Sequence, residues 1–132
     1  MLVIFSLTWP TITISAATEQ EAAEITQEYD RLSRLWLSEM RLAKDLRARD
    51  LIAKKRPNPA EYATKLKQLL RADLQHEWTL KYGAWLLEND TFISTSAQRA
   101  LLNAVQDYHM RSSKLGSFCV AMIHLNDFGK PA

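Results

Sequence analysis

A chain of 132 residues can bury one hydrophobic core without disulfides or bound metal, and an apolar fraction of 47% excludes an intrinsically disordered protein. Three glycines and four prolines are too few for the turns of an all-β protein. The net charge of +2 is distributed unevenly along the chain. Residues 1–40 carry a net charge of −4, residues 41–71 one of +7 and residues 72–132 one of −1. The positive charge of residues 41–71 therefore indicates that this segment binds a partner.

Residues 1–17 are predicted to form an extended N-terminal segment. The apolar run Met1–Leu7 has no Lys or Arg before it and is far shorter than the ~20 residues that a membrane-spanning helix needs. Residues 11–15 then alternate between polar and apolar side chains, which is typical of extended chain. The alternative is a signal peptide, since the small residues 15–17 resemble a cleavage site.

Two long helices are predicted next, over residues 19–54 and 59–88. Thr18 and Glu21 fit a capping box at the start of the first helix, and no glycine or proline interrupts it before Pro57. Asn58 and Pro59 then suit the N-cap and the first position of the second helix. Because the connection is short, an antiparallel αα-hairpin is the expected arrangement.

The first predicted helix is longer than a small domain is wide. At ~1.5 Å per residue it would extend roughly 50 Å, so it either bends or projects from the domain. Apolar residues spaced three or four apart mark the face that is predicted to be buried. They are Ile25, Tyr29, Leu32, Leu35, Trp36, Ala43 and Leu46.

One or two C-terminal helices complete an all-α helical bundle. Thr95 fits a second capping box, which predicts a helix over residues 95–115 that ends at Gly116. Residues 117–126 form either a fourth short helix or a continuation of the third, and Cys119 in this apolar run is expected to be a buried, reduced thiol. Residues 18–126 are thus interpreted as a single domain, and residues 127–132 as a tail.

The basic elbow, residues 41–71, supplies the candidate nucleic-acid or phosphate contacts. Arg and Lys at this density suit phosphate oxygens, which accept charge-assisted hydrogen bonds. The competing interpretation is a solvated face that keeps a long hairpin soluble, since Asp45 and Asp50 dilute the charge and no nucleic-acid-binding motif accompanies it. The candidates are Arg41, Lys44, Arg47, Lys54, Lys55, Arg56, Lys65 and Arg71.

Two further sets of residues are candidates for a protein interface. Trp78, Tyr82 and Trp85 form an aromatic ridge on the second predicted helix, which would serve either as core or as a partner-binding anchor. Carboxylates interrupt the apolar faces of both long helices, and ionised carboxylates are not buried without partners. These carboxylates, predicted to face a partner chain or a cation of a neighbouring helix, are Glu39, Asp73 and Glu77.

No pattern of residues predicts catalysis or a cofactor. Asp73 and His76 have the one-turn spacing of a metal pair in helical bundles, but His109 and His124 lack a carboxylate three residues earlier. A glycine-rich phosphate loop and a nucleophile elbow are both missing from the sequence. We therefore expect no enzymatic activity, no cofactor and no metal.

The expected function is that of a non-enzymatic helical interaction protein: an adaptor, an inhibitor or a small accessory subunit of a larger protein or nucleoprotein assembly. The alternative is a subunit that binds the nucleic-acid backbone without reading sequence, through the basic elbow. A remote alternative is a metal-binding helical bundle around Glu39, Asp73, His76 and Glu77. We expect a cytoplasmic protein with a protein partner and no membrane contact, while the identity of the partner and the oligomeric state stay open.

Overall fold

The computed structural model describes the backbone of residues 14–128 and the side chains of residues 18–123. Within this part the chain forms α1 (Ile14–Leu42), α2 (Leu46–Ala53), α3 (Pro59–Ala72), α4 (Trp78–Asn89), α5 (Thr95–Ala104) and α6 (Leu115–Phe128), with a π-helical turn at Val105–His109. The described residues contain no strand, so the predicted all-α fold class is confirmed. The predictions for residues 1–13 and 129–132 lie outside the described residues.

The first long helix was predicted as one element from 19 to 54; its end is confirmed within one residue at Ala53, but its start and its continuity are wrong. It begins at Ile14, so residues 14–17 are helical rather than extended, and it breaks at residues 43–45. At the break, Asp45 has an extended backbone, and its side chain accepts a hydrogen bond of 2.7 Å from the amide of Ala48. A short polar side chain that bonds a nearby amide favours a helix start over a helix interior, so a second helix begins here.

The second long helix is also interrupted, at residues 73–77. Two hydrogen bonds satisfy carbonyls exposed by this break: the hydroxyl of Thr79 donates to Asp73 over 3.0 Å, and Nε2 of His109 donates to Leu74 over 2.8 Å. Its predicted start is confirmed, because the side chain of Asn58 accepts from the amide of Ala60 over 3.0 Å. Because of this interruption, α3 and α4 are two separate helices and α4 does not continue the axis of α3.

The C-terminal helices differ from the prediction at their boundaries. Ser94, one residue earlier than expected, is the N-cap of α5. The helix passes into the π-helical turn after Ala104, and Gly116 lies inside α6 instead of ending a helix. Helix α6 extends to Phe128, into the predicted tail, and Cys119 on this helix is exposed, contrary to the expected buried thiol.

Helix α4 forms the centre of the core. Eight of its twelve residues are buried, and it packs against α3 on one side and α6 on another. Helix α1 packs against α3 and reaches α4 through Tyr29, whose ring lies edge-on to Trp85 with 5.4 Å between the centroids. A helix buried around most of its circumference needs apolar neighbours on several sides, and the remaining helices supply them.

Gly83 in α4 and Gly116 in α6 provide a matched test of this packing. A Cβ atom at Gly83 would lie 3.0 Å from the buried ring of Phe118, whereas one at Gly116 would meet nothing within 4 Å. We expect Gly83→Ala to lower the free energy of unfolding by about 1 kcal/mol, because overpacking outweighs the gain in helix propensity.

We expect Gly116→Ala, in contrast, to raise the free energy of unfolding by up to about 1 kcal/mol, since only helix propensity changes. Urea denaturation of both variants measures the difference. Equal stability of the two variants would show that α4 and α6 are not in close contact at Gly83.

Candidate interaction surface

The C-terminal end of α1 and helix α2 form a folded-back arm. The indole Nε1 of Trp36 donates a hydrogen bond of 2.9 Å to the carbonyl of Ile52, which fixes α2 beside α1. The guanidinium of Arg56 lies 5.4 Å from the centre of the Trp36 ring, a cation–π contact that fixes the chain after α2. We call residues 35–56 the α1–α2 arm.

Leucines of the α1–α2 arm face solvent. Leu42 is 76% exposed and Leu46 is 77% exposed, and α2 contains no buried residue. Leu35 and Leu46 were predicted to face the core, and their exposure shows that this prediction is wrong. The other exposed leucines of the arm are Leu37 and Leu51.

The cations of the arm alternate with these leucines along the chain. They are exposed, and within the described residues none of them forms an ion pair. Two acidic residues, Asp45 and Asp50, lie among them, so residues 41–56 carry a net charge of +5. The cations are Arg41, Lys44, Arg47, Arg49, Lys54, Lys55 and Arg56.

The rest of the predicted basic elbow lies on α3, outside the arm. Lys65 lies over the ring of Tyr62, 5.6 Å from its centre, and Arg71 is exposed. Lys67 forms an ion pair of 2.8 Å with Asp90, whose side chain is only 3% exposed. Lys67 and Arg71 also line a cleft of about 440 Å³ between α3, α4 and α5.

A second cleft, of about 400 Å³, separates the arm from the start of α3. Leu35 and Trp36 form part of its wall, and Glu39 lies on the same cleft as Lys55 and Arg56. Glu39, a predicted interface residue, is exposed. Because it lines this cleft, it lies near cations of the arm.

The aromatic ridge, in contrast, belongs to the core. Trp78 is 6% exposed and Tyr82 is 2% exposed, and their rings contact each other edge-to-face. Trp85 is half-buried against Tyr29. Core packing was one of the two interpretations of these side chains; because Trp78 and Tyr82 are buried and not accessible to a partner, packing accounts for them.

Asp73 and Glu77 belong to the connection between α3 and α4. Asp73 lies 3.6 Å from the imidazole of His76, and Glu77 accepts a hydrogen bond of 2.6 Å from Ser112. In the part of the chain that the structure describes, no three His, Cys, Asp or Glu side chains are grouped so that they could hold a metal ion. Glu39 lies beside the N-terminal end of α3 and Asp73 at its C-terminal end, so the carboxylates of the remote alternative do not form one site.

The N-terminal half of α1 carries the opposite charge to the arm. Residues 14–30 hold five acidic side chains and no basic one. Only Glu28 among them forms an ion pair within the described residues: the Arg31 guanidinium donates two hydrogen bonds of 2.8 Å to it, which lower the pKa of the Glu28 carboxyl. The other four, Glu19, Glu21, Glu24 and Asp30, are exposed to solvent.

The exposed leucines of the arm are the feature that sequence reasoning missed. Periodicity placed Leu35 and Leu46 on one apolar stripe but could not show that no helix packs over it. Asp45, a short acidic residue inside a predicted helix, was the available signal for the break that creates the arm. Trp36 was predicted only as an apolar residue of α1. Its hydrogen bond to Ile52 could not be predicted, because it depends on the chain reversal between the two helices.

Comparisons with known proteins found no significant match to a family model, to a curated protein or to a solved structure. No α-helix of the described part is long and apolar enough to cross a membrane. The functional interpretation therefore depends on the geometry and the charges of the arm.

Proposed function

We propose that this chain is a non-enzymatic helical interaction protein that binds a protein partner through the α1–α2 arm. The exposed leucines of the arm carry the proposal. Monomeric soluble proteins rarely expose contiguous large apolar patches, and such patches with polar rims are typical of docking surfaces. Here exposed leucines and exposed cations alternate along the arm, so a partner would find apolar side chains and positive charge together.

The arm is suited to binding because its own fold does not need the leucines. Trp36 and Arg56 hold α2 in place, while Leu42 and Leu46 are more than three-quarters exposed. A partner that covered these leucines would gain about 25 cal/mol for each Å² of apolar surface removed from water. The cations would act mainly on the association rate and on the choice of partner.

We expect Leu42→Gln combined with Leu46→Gln to abolish partner binding without unfolding the chain, since neither side chain is in the core. The matched control is Phe92→Gln with Met110→Gln, which removes two exposed apolar side chains outside the arm. Immobilised wild-type chain, arm variant and control are compared by quantitative mass spectrometry of captured proteins, after nuclease treatment.

A protein that is retained by the wild type and the control but lost from the arm variant is the expected result. Identical capture by all three would contradict the proposal. Thermal unfolding of the three chains checks that the variants are folded. The cytoplasmic location and the role as adaptor, inhibitor or accessory subunit belong to the same proposal and stay predictions.

A second candidate function is contact with the nucleic-acid backbone. It is supported by the arm cations, which are exposed and form no ion pair with the described residues. Phosphate contacts would satisfy such cations, although exposed leucines have no counterpart on a phosphate backbone. The arm therefore fits a protein partner better than a nucleic acid.

For nucleic-acid binding, the logarithm of the affinity should fall linearly with the logarithm of the salt concentration between about 50 and 200 mM. We expect Lys54→Ala with Lys55→Ala to reduce that slope by about 2, since each residue would lose one phosphate contact. The control is Arg99→Ala with Arg111→Ala, two exposed cations outside the arm. Absence of binding at the lowest salt, or an equal effect in the control, would contradict this second function.

A further inference from the structure

The two ends of α1 carry charges that complement each other, and within the described residues no ion pair joins the two segments. Residues 14–30 carry a net charge of −5. Residues 41–56, which begin at the other end of the helix, carry a net charge of +5. Glu28 and Arg41 are thirteen residues apart on one continuous helix, which at ~1.5 Å per residue separates them by roughly 20 Å. An α-helix is stiff, so Glu28 and Arg41 cannot meet within one molecule, whereas a second molecule can bring a complementary charge to each of them.

The exposed side chains of α1 place both charge and apolar surface on one stripe. The stripe consists of residues that follow one another at spacings of three, four, seven and seven: Glu21, Glu24, Glu28, Leu35 and Leu42. Residues at such spacings share one face of a helix. All five are exposed, so the core does not cover this face.

We propose that a second copy of this chain covers this stripe, with the α1 helices of the two copies antiparallel and the arm of each against the acidic half of the other. The inference deepens the proposed function, on which it rests, by naming the partner of the arm. In an antiparallel pair centred near Leu35, Arg41 of one copy lies level with the segment between Glu28 and Asp30 of the other. Glu39 of one copy is then level with Arg31 of the other.

A second copy is the occupant that offers an opposite charge to both the acidic and the basic segment of this surface. A nucleic acid would neutralise the cations but leave the leucines and the carboxylates of α1 exposed. An anionic membrane surface would take the cations and the leucines but would repel the carboxylates. The two-fold arrangement pairs each charged segment with its complement twice and closes on itself, so it gives a dimer and not a filament.

The test is a charge exchange between two variants of the full chain, measured by sedimentation equilibrium from micromolar to submillimolar concentrations. The first variant, in which both segments are basic, is E21K/E24K/E28K. The second variant, in which both segments are acidic, is R41E/K44E/R47E. The control, which reverses three exposed cations outside the interface, is R71E/R99E/R111E.

We expect the wild type and the control to form dimers, with an affinity that falls as salt is added. Each interface variant alone should dimerise at least about tenfold more weakly, because like charges then face each other. An equimolar mixture of the two variants should restore the dimer, since each acidic segment again meets a basic one. A variant that had simply unfolded could not be rescued in this way.

A wild type that stays monomeric across this range overturns the inference, and so does a mixture that associates no better than its components. Neither result bears on whether the arm binds a different protein, which the capture experiment with the Leu42 and Leu46 variant decides. Conversely, a rescued dimer together with equal capture by all three chains of the capture experiment would support the second copy as the partner of the arm and contradict the binding of a different protein through its leucines. Salt-dependent binding to DNA, RNA or anionic vesicles by a strictly monomeric chain would assign the arm to those partners.

Discussion

The burial of α4 is the constraint on which the rest of this structure depends. A helix with eight buried residues out of twelve must have neighbours on most of its surface, and α3, α6 and the first half of α1 provide them. Gly83 permits the closest of these contacts, since any side chain there would meet the ring of Phe118. The breaks at residues 73–77 and after the π-helical turn follow from the same constraint, because they allow the chain to pass around α4 and return to it.

Because the core is built around α4, the second half of α1 and all of α2 extend beyond it. The chain reverses at Asp45 and places α2 against α1, where Trp36 and Arg56 hold it, but no third element covers the leucines of the arm. Apolar side chains thus stay exposed beside a strong positive charge. The proposals of partner binding and of pairing with a second copy both follow from this geometry.

Local signals in the sequence predicted the elements that depend on a few neighbouring residues. The start of α3 after Asn58 is an example, since an N-cap acts within one turn. The breaks at residues 43–45 and 73–77 were missed because they contain no glycine or proline. Periodicity also could not distinguish a core face from a docking face: for Trp78 both interpretations stayed open and the side chain is buried, whereas Leu46 was predicted in the core and is exposed.

The central claim is that the α1–α2 arm lies outside the core and is held mainly by Trp36. Hydrogen exchange of backbone amides, measured at a dilution that leaves the chain monomeric, tests this claim most directly. The account predicts that α4 amides exchange only through global unfolding, whereas α2 amides exchange through a local opening of much lower free energy. Protection of α2 equal to that of α4 would show that the arm is packed as part of the core, and would contradict the account.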